Sequence, residues 1–208
     1  MQVDFYFDPS CPFCWITSRW LLMVTNKRTI NIQWHLFSLA IKNSELDQKD
    51  QKGTFNHLPA HRLERVMLAA HKQGVSLLNM YSAFGIQHFL TGEEYSDQTI
   101  ISVLDDLKLD KSLVKFADDS SLDDQLRQST NQAVEIVGSD IGVPTIVFTG
   151  KDNKKTGFFG PVLQELPEID DSVELWDGLV KLANNPSFYE LKRGRSQAGP
   201  DVVSTAKC

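Results

Sequence analysis

Hydrophobic positions near the start of the chain first alternate and then change period. Val3, Phe5 and Phe7 share one side of Val3-Asp4-Phe5-Tyr6-Phe7, which predicts a short strand. Asp8-Pro9-Ser10 turns the chain, and Pro12 suits the first position of a helix, where its missing N–H costs nothing. Ile16, Trp20, Met23 and Val24 then recur at helical spacing, with Lys27 and Arg28 at the negative end of the dipole. Ile30, Ile32, Trp34 and Leu36 alternate with Asn31, Gln33 and His35 as a second strand. The opening is therefore β-α-β, with Cys11 and Cys14 at the N-terminus of its helix.

The middle of the chain loses this alternation. A polar stretch from Ser44 to Lys52 predicts a loop. Helical patterns follow in Leu63, Val66, Met67, Ala70; in Leu77, Leu78, Tyr81, Phe84, Phe89; in Ile100, Ile101, Leu104, Leu107; and in Leu122, Leu126, Ala133, Val134, Val137. Gly74, Gly92 and Gly138 mark helix ends. Strand signals return in Gly142–Phe148, entered through Pro144, then a turn over Thr149–Thr156 and an antiparallel return in Gly157–Gly160. A last helix covers Ser172–Ala183, and beyond Arg193 the Gly, Ser, Pro and charged residues predict a frayed tail. The order is α/β: a thioredoxin-like fold (β-α-β / β-β-α) with a large all-helical insertion. The expected domains are 1–37 with 139–193 for the thioredoxin-like part, 38–138 for the insertion and 194–208 for a flexible tail.

Composition narrows the function classes. The 208 residues, 41% hydrophobic with 12 Phe and 4 Trp, supply enough apolar bulk to exclude a disordered chain. A net charge of −6 and a pI of 5.3 argue against nucleic-acid phosphate as a partner. In the first helix the longest apolar run, Trp20–Val24, is far short of the roughly 18 residues a membrane span needs. Met1-Gln2-Val3-Asp4-Phe5 has neither the basic nor the apolar region of a secretory signal, so the expected location is cytoplasmic.

Three cysteines make no disulfide scaffold. In a reducing compartment the lone Cys11-Pro12-Phe13-Cys14 suggests redox chemistry or a metal half-site. Zinc asks for four ligands, and the chain offers only Cys208 and scattered histidines beside this pair, so the strand–Cys–helix setting favours redox. A thiolate is the attacking species. At a helix N-terminus the orphan N–H groups and the dipole favour the anion on Cys11, a setting that can lower a cysteine pKa from about 8.5 into the ~3.5–7.5 range. Cys14, one turn further in, is placed to reach back and resolve an adduct on Cys11. Val143-Pro144 is the second signal: a cis-proline opening a strand would face the C-x-x-C and leave a backbone edge for a peptide or thiol. Such bonds are uncommon, and only the combination with Cys11 favours cis.

Other candidates carry less. His57 and His61 lack the glutamate pattern of a zinc helix and suit a solvated helix face. Lys151, Lys154 and Lys155 suit a solvated turn. Gly138-x-x-x-Gly142 is no phosphate loop, because no Lys-Ser/Thr follows. Trp20 belongs to the core stripe, and Trp15 suits either rim or core.

The run Tyr6-Phe7-Asp8-Pro9-Ser10-Cys11-Pro12-Phe13-Cys14-Trp15-Ile16-Thr17-Ser18-Arg19-Trp20 resembles the active-site segment of actinobacterial DsbA-like proteins that use mycothiol, the mycothiol-dependent reductases or nitroreductases. Ser38-Leu39-Ala40-Ile41 with Asn43, Gly142–Ile146, Phe158–Leu163 and Glu190–Arg193 resemble the same family, in the same order over nearly the whole chain. Phe13 stands where the family commonly has Trp, and the stretch from Ser44 to His61 departs from it. The resemblance implies a DsbA-like fold and a cytoplasmic enzyme with Cys11 as nucleophile and Cys14 or mycothiol as resolving thiol. Pro12, Phe13, Trp15, Asn43, Val143 and Pro144 are the expected thiol- or substrate-binding residues. It further implies no bound cofactor, mycothiol as co-substrate, disulfides or small electrophiles as substrates, and a monomer or homodimer.

Three function classes follow. The first is a thiol–disulfide oxidoreductase reducing disulfides or mycothiol mixed disulfides. The second is a mycothiol-dependent nitroreductase or kappa-transferase-like enzyme, with the helical insertion as a lid. The third is a non-enzymatic binder of unfolded chains.

Overall fold

The computed structural model describes residues 1–44, 57–150, 152–194 and 197–207. Most of the polar loop expected at 44–52, Lys151 and Cys208 lie outside them. Four strands, β1 (Gln2–Phe7), β2 (Asn31–Leu36), β3 (Thr145–Thr149) and β4 (Lys155–Phe159), form one sheet in the order β2-β1-β3-β4. β3 runs antiparallel to both neighbours, pairing Val3 with Phe148, Phe5 with Ile146, and Ile146 with Phe158. The helices are α1 (Pro12–Thr25), α2 (Leu39–Ser44), α3 (Leu58–His71), α4 (Leu77–Gly85), α5 (Asp97–Asp106), α6 (Asp123–Val137) and α7 (Ile169–Ala183). Among the described residues, the stretch from 38 to 138 contains no strand.

Contacts divide the chain into two compact units. The first comprises Met1–Tyr6, Cys11–Gln33 and Ala133–Cys208. In it, Val3, Phe5, Ile16, Trp20, Leu21, Val24 and Ile146 are all fully buried; Asp4 and Tyr6 on the other face of β1 are buried too, and Met23 of the expected α1 stripe is only half-buried. Trp176 of α7 meets both Trp20 of α1 and Phe148 of β3, with ring centroids 6.0 Å and 5.7 Å away. The Trp20 indole N–H donates to the Ser172 carbonyl at 3.2 Å, so the buried ring leaves no donor unmatched. α7 begins three residues before the expected Ser172, with Asp170 and Asp171 in its first turn, where acids complement the dipole. β4 needs a glycine at 157: a Cβ there would lie 2.6 Å from Val137 Cγ2 and 2.9 Å from Val147 Cγ2.

The tail differs from expectation. Val202–Lys207 forms a 3-10 turn, and Thr205 in it is buried. Its hydrogen bonds supply what composition hides: Asp201 N–H donates to the Gln164 carbonyl at 2.7 Å, and Leu166 N–H donates to Ser204 Oγ at 2.9 Å.

The second unit comprises Phe7–Ser10 and Trp34–Gln132. Phe7 stacks on Tyr81 of α4 at 4.1 Å and meets Trp34 edge-on at 6.1 Å. Phe37 N–H donates to the Phe7 carbonyl at 2.9 Å, and Tyr95 Oη donates to the Pro9 carbonyl at 2.9 Å.

Candidate active site

The site is built on the first turn of α1. Cys11 is the N-cap, with extended backbone, and Pro12 is the first helical residue, as the sequence pattern predicts. The Cys14 backbone N–H donates to Cys11 Sγ at 3.4 Å, so the sulfur takes the place that a serine or aspartate oxygen usually holds at a helix start. The Cys11 thiol donates in turn to the Val143 carbonyl at 3.5 Å. Both cysteines are free thiols; Cys11 keeps 8% of its surface in contact with solvent and Cys14 none. Both are buried, Cys14 one turn further into the helix.

The Val143–Pro144 bond is cis, as the C-x-x-C context favours. Cys11, Pro12, Phe13, Cys14, Val143 and Pro144 thus meet in one unit, with Pro12 and Phe13 half-buried. A second cis bond, Gly160–Pro161, escaped the sequence reading. Gly160 N–H donates to the Pro144 carbonyl at 2.7 Å, and Thr17 of α1 donates to the Pro161 carbonyl at 2.8 Å. The cis-proline segment is therefore tied both to the return of β4 and to the cysteine-bearing helix. Gly160 takes a positive φ of 114°, a conformation open to glycine.

Trp15 resolves to core and not rim. Its ring is 1% exposed, its indole N–H donates to Thr205 Oγ1 at 2.8 Å, and the Arg19 guanidinium lies 4.3 Å from its ring centroid. It offers a ligand neither a ring face nor a donor. Asn43 sits half-buried in α2, within the second unit.

The second unit holds a polar cluster that the sequence reading missed. His61, expected on a solvated helix face, is 7% exposed, and Glu64 beside it is 0% exposed. The helical stripe Ala60, Leu63, Glu64, Met67 is buried throughout, so the periodicity of α3 already pointed Glu64 inward. His61 Nδ1 lies 2.9 Å from Ser38 Oγ and 3.3 Å from Glu64 Oε2, and Nε2 lies 3.1 Å from Asp123 Oδ1. Arg65 holds Asp123 with two bonds of 2.7 Å. Asp8 accepts from Ser10 N–H, Ser10 Oγ and Leu39 N–H at 2.8, 2.6 and 2.8 Å. Burial, then the charge of Asp8, pushes the Glu64 carboxyl well above its usual range. Burial, then the Arg65 charge, holds His61 below its usual value despite Asp123. A protonated Glu64 beside a neutral His61 is the state this environment favours.

Among the described residues, no group of His, Cys, Asp and Glu could hold a metal ion, and no helix is long and apolar enough to cross a membrane.

Comparison with known proteins agrees with this architecture. The family described as Rv2466c-like, mycothiol-dependent nitroreductase Rv2466c, matches residues 10–193. The uncharacterized protein Rv2286c of Mycobacterium tuberculosis is 30% identical over 208 residues, covering 97% of this chain and 86% of that one. Among solved structures, the cytosolic disulfide reductase DsbM from Pseudomonas aeruginosa superposes with a TM-score of 0.58 at 15% identity, covering 88% of this chain and all 100% of that one. A probable DsbA oxidoreductase, SCO1869 from Streptomyces coelicolor, gives 0.57 at 14% identity, over 96% and 97% of the two chains. At these identities the structures speak to fold, and the fold is the thioredoxin-like DsbA type with a helical insertion.

Proposed function

Because the chain belongs to the Rv2466c-like family, we propose that it is a thiol–disulfide oxidoreductase that uses Cys11 as nucleophile, Cys14 as resolving thiol and mycothiol as reductant. The observation that carries the reading is the cap geometry: the Cys11 sulfur at the start of α1, on a residue that keeps 8% of its surface in solvent, with the Cys14 N–H aimed at it and Cys14 fully buried. Backbone donors at a helix start stabilise the negative charge that an attacking sulfur carries.

In the first step the Cys11 thiolate attacks one sulfur of a substrate disulfide, forms a mixed disulfide and releases the other sulfur as a thiolate, which water protonates. Cys14, deprotonated, then attacks Cys11 Sγ and releases the second substrate thiol, leaving a Cys11–Cys14 bond. One mycothiol thiolate opens that bond and a second displaces the first from the enzyme. The products are mycothiol disulfide and the dithiol enzyme, two electrons having passed from mycothiol to substrate.

A second reading is favoured by the family description, which names nitroreduction. There the same dithiol gives two electrons and two protons to a nitro group, yielding a nitroso group and water, and mycothiol restores the dithiol as before. Both readings are tested by following turnover of mycothiol mixed disulfides and of a nitroaromatic, each with and without mycothiol. Disulfide turnover lost in Cys11→Ser supports the first reading. Mycothiol-dependent nitroaromatic turnover without disulfide turnover replaces it with the second, and activity retained in Cys11→Ser overturns both.

A further inference from the structure

Trp15 follows Cys14 directly and is held through its backbone, its ring and its indole N–H. Its backbone N–H donates to the Cys11 carbonyl at 3.1 Å, and its own carbonyl accepts from Ser18 Oγ at 2.7 Å. Arg19 covers the ring, and Arg19 Nε donates to the same Ser18 Oγ at 3.2 Å. These ties lie within α1 and move with it. Another, from the indole N–H to Thr205 Oγ1, comes from 190 positions away in sequence. Thr205 is itself immobilised: its hydroxyl donates to the Val202 carbonyl at 2.7 Å, and the turn that carries it is bonded to Gln164 and Leu166. It fixes the active-site turn to a point outside the helix.

We propose that Thr205 is a positioning residue of the Cys11–Cys14 couple, holding the first turn of α1 in its dithiol geometry through the Trp15 indole. The inference rests on the reading of Cys11 and Cys14 as a redox pair. Forming their bond draws Cys14 toward Cys11 across this turn and displaces the residue joined to Cys14. The Thr205 tie resists that displacement, so it favours the reduced form over the disulfide. A tie that only stabilised the fold would act equally on both forms and leave the couple unchanged.

The test is a redox titration of the full chain in dithiothreitol buffers, with free thiols trapped by alkylation and counted by mass. Thr205→Val keeps the shape and removes the hydroxyl, and should shift the thiol–disulfide equilibrium about fivefold toward the disulfide, the weight of one ordinary hydrogen bond. Thr205→Ser should restore it. Trp15→Phe reads the same bond from the other side and should shift the equilibrium in the same direction, with no added shift in the double variant. An unchanged equilibrium in Thr205→Val, or a serine variant that behaves like valine, overturns the proposal while leaving the couple intact. If neither Thr205→Val nor Trp15→Phe folds, the bond is purely structural and the proposal is likewise overturned. A wild-type chain that forms no Cys11–Cys14 bond under any buffer overturns both the proposal and the reading beneath it.

Discussion

Cys11 Sγ lies 3.5 Å from the carbonyl oxygen of Val143, the residue joined in cis to Pro144. Two segments more than 130 residues apart in the chain meet at one sulfur, which takes a backbone N–H from Cys14 and faces a backbone carbonyl from Val143. The thiol donates to that carbonyl and accepts from that amide, so both segments hold the same sulfur.

On the proposed mechanism, Cys14→Ser should accumulate a mycothiol adduct on Cys11 after exposure to mycothiol disulfide, while wild type should instead show an internal bond. Intact-protein mass spectrometry reads the difference. A wild type that carries the adduct stably would assign resolution to mycothiol.

Glu64→Gln should stabilise the protein increasingly as pH rises. A carboxyl whose folded value is raised binds its proton more tightly in the folded state, so its contribution is complete below the unfolded value of 4.5 and declines as pH climbs toward the folded one. One proton limits the slope to about 1.4 kcal/mol per pH unit. Urea unfolding at pH 5, 7 and 9 should show the variant and wild type diverging, and parallel stabilities would remove Glu64 as the cause.

His61 acts in the opposite sense. Its folded value is lowered, so the unfolded chain takes up the extra proton and stability falls as pH drops below about 6.5. His61→Gln should flatten the acid side of the stability profile over that window and leave the alkaline side alone. The same urea series extended below pH 6.5 checks it.

Gly157→Ala should destabilise by about 1–3 kcal/mol, the usual cost of forcing a methyl into packed side chains. The added Cβ meets Val137 and Val147, both branched and stiff at χ1, within 3 Å. The companion substitution Val137→Ala should recover part of the loss. Thermal melting of the single and double variants measures both.

Legibility in the sequence followed how local each signal was. β1, α1 and the cysteine cap were legible because Val3-Phe5-Phe7, Pro12 and the Ile16–Val24 stripe act within a few residues. The fate of Glu64 was legible too, since it sits on the buried stripe of α3, but a charged residue invites the solvated assignment unless its partners are known. Those partners, Ser38 and Asp123, lie 26 and 59 positions away, and no spacing rule joins them. The 3-10 turn at Val202–Lys207 was illegible for the same reason: its residues read as tail, and bonds to Trp15, Gln164 and Leu166 help give it a place.

The 190-position gap between Trp15 and Thr205 also orders events during synthesis. At roughly 5–20 residues per second, the ribosome delivers the cysteine pair on the order of 10–40 s before the hydroxyl that anchors the adjoining indole. β3, which completes the pairing of β1, emerges late as well. Small thiols and oxidants in the cell therefore first encounter Cys11 and Cys14 on a nascent chain that has yet to make the bond to Thr205. The reactivity of the pair at that stage belongs to a different molecule from the finished one.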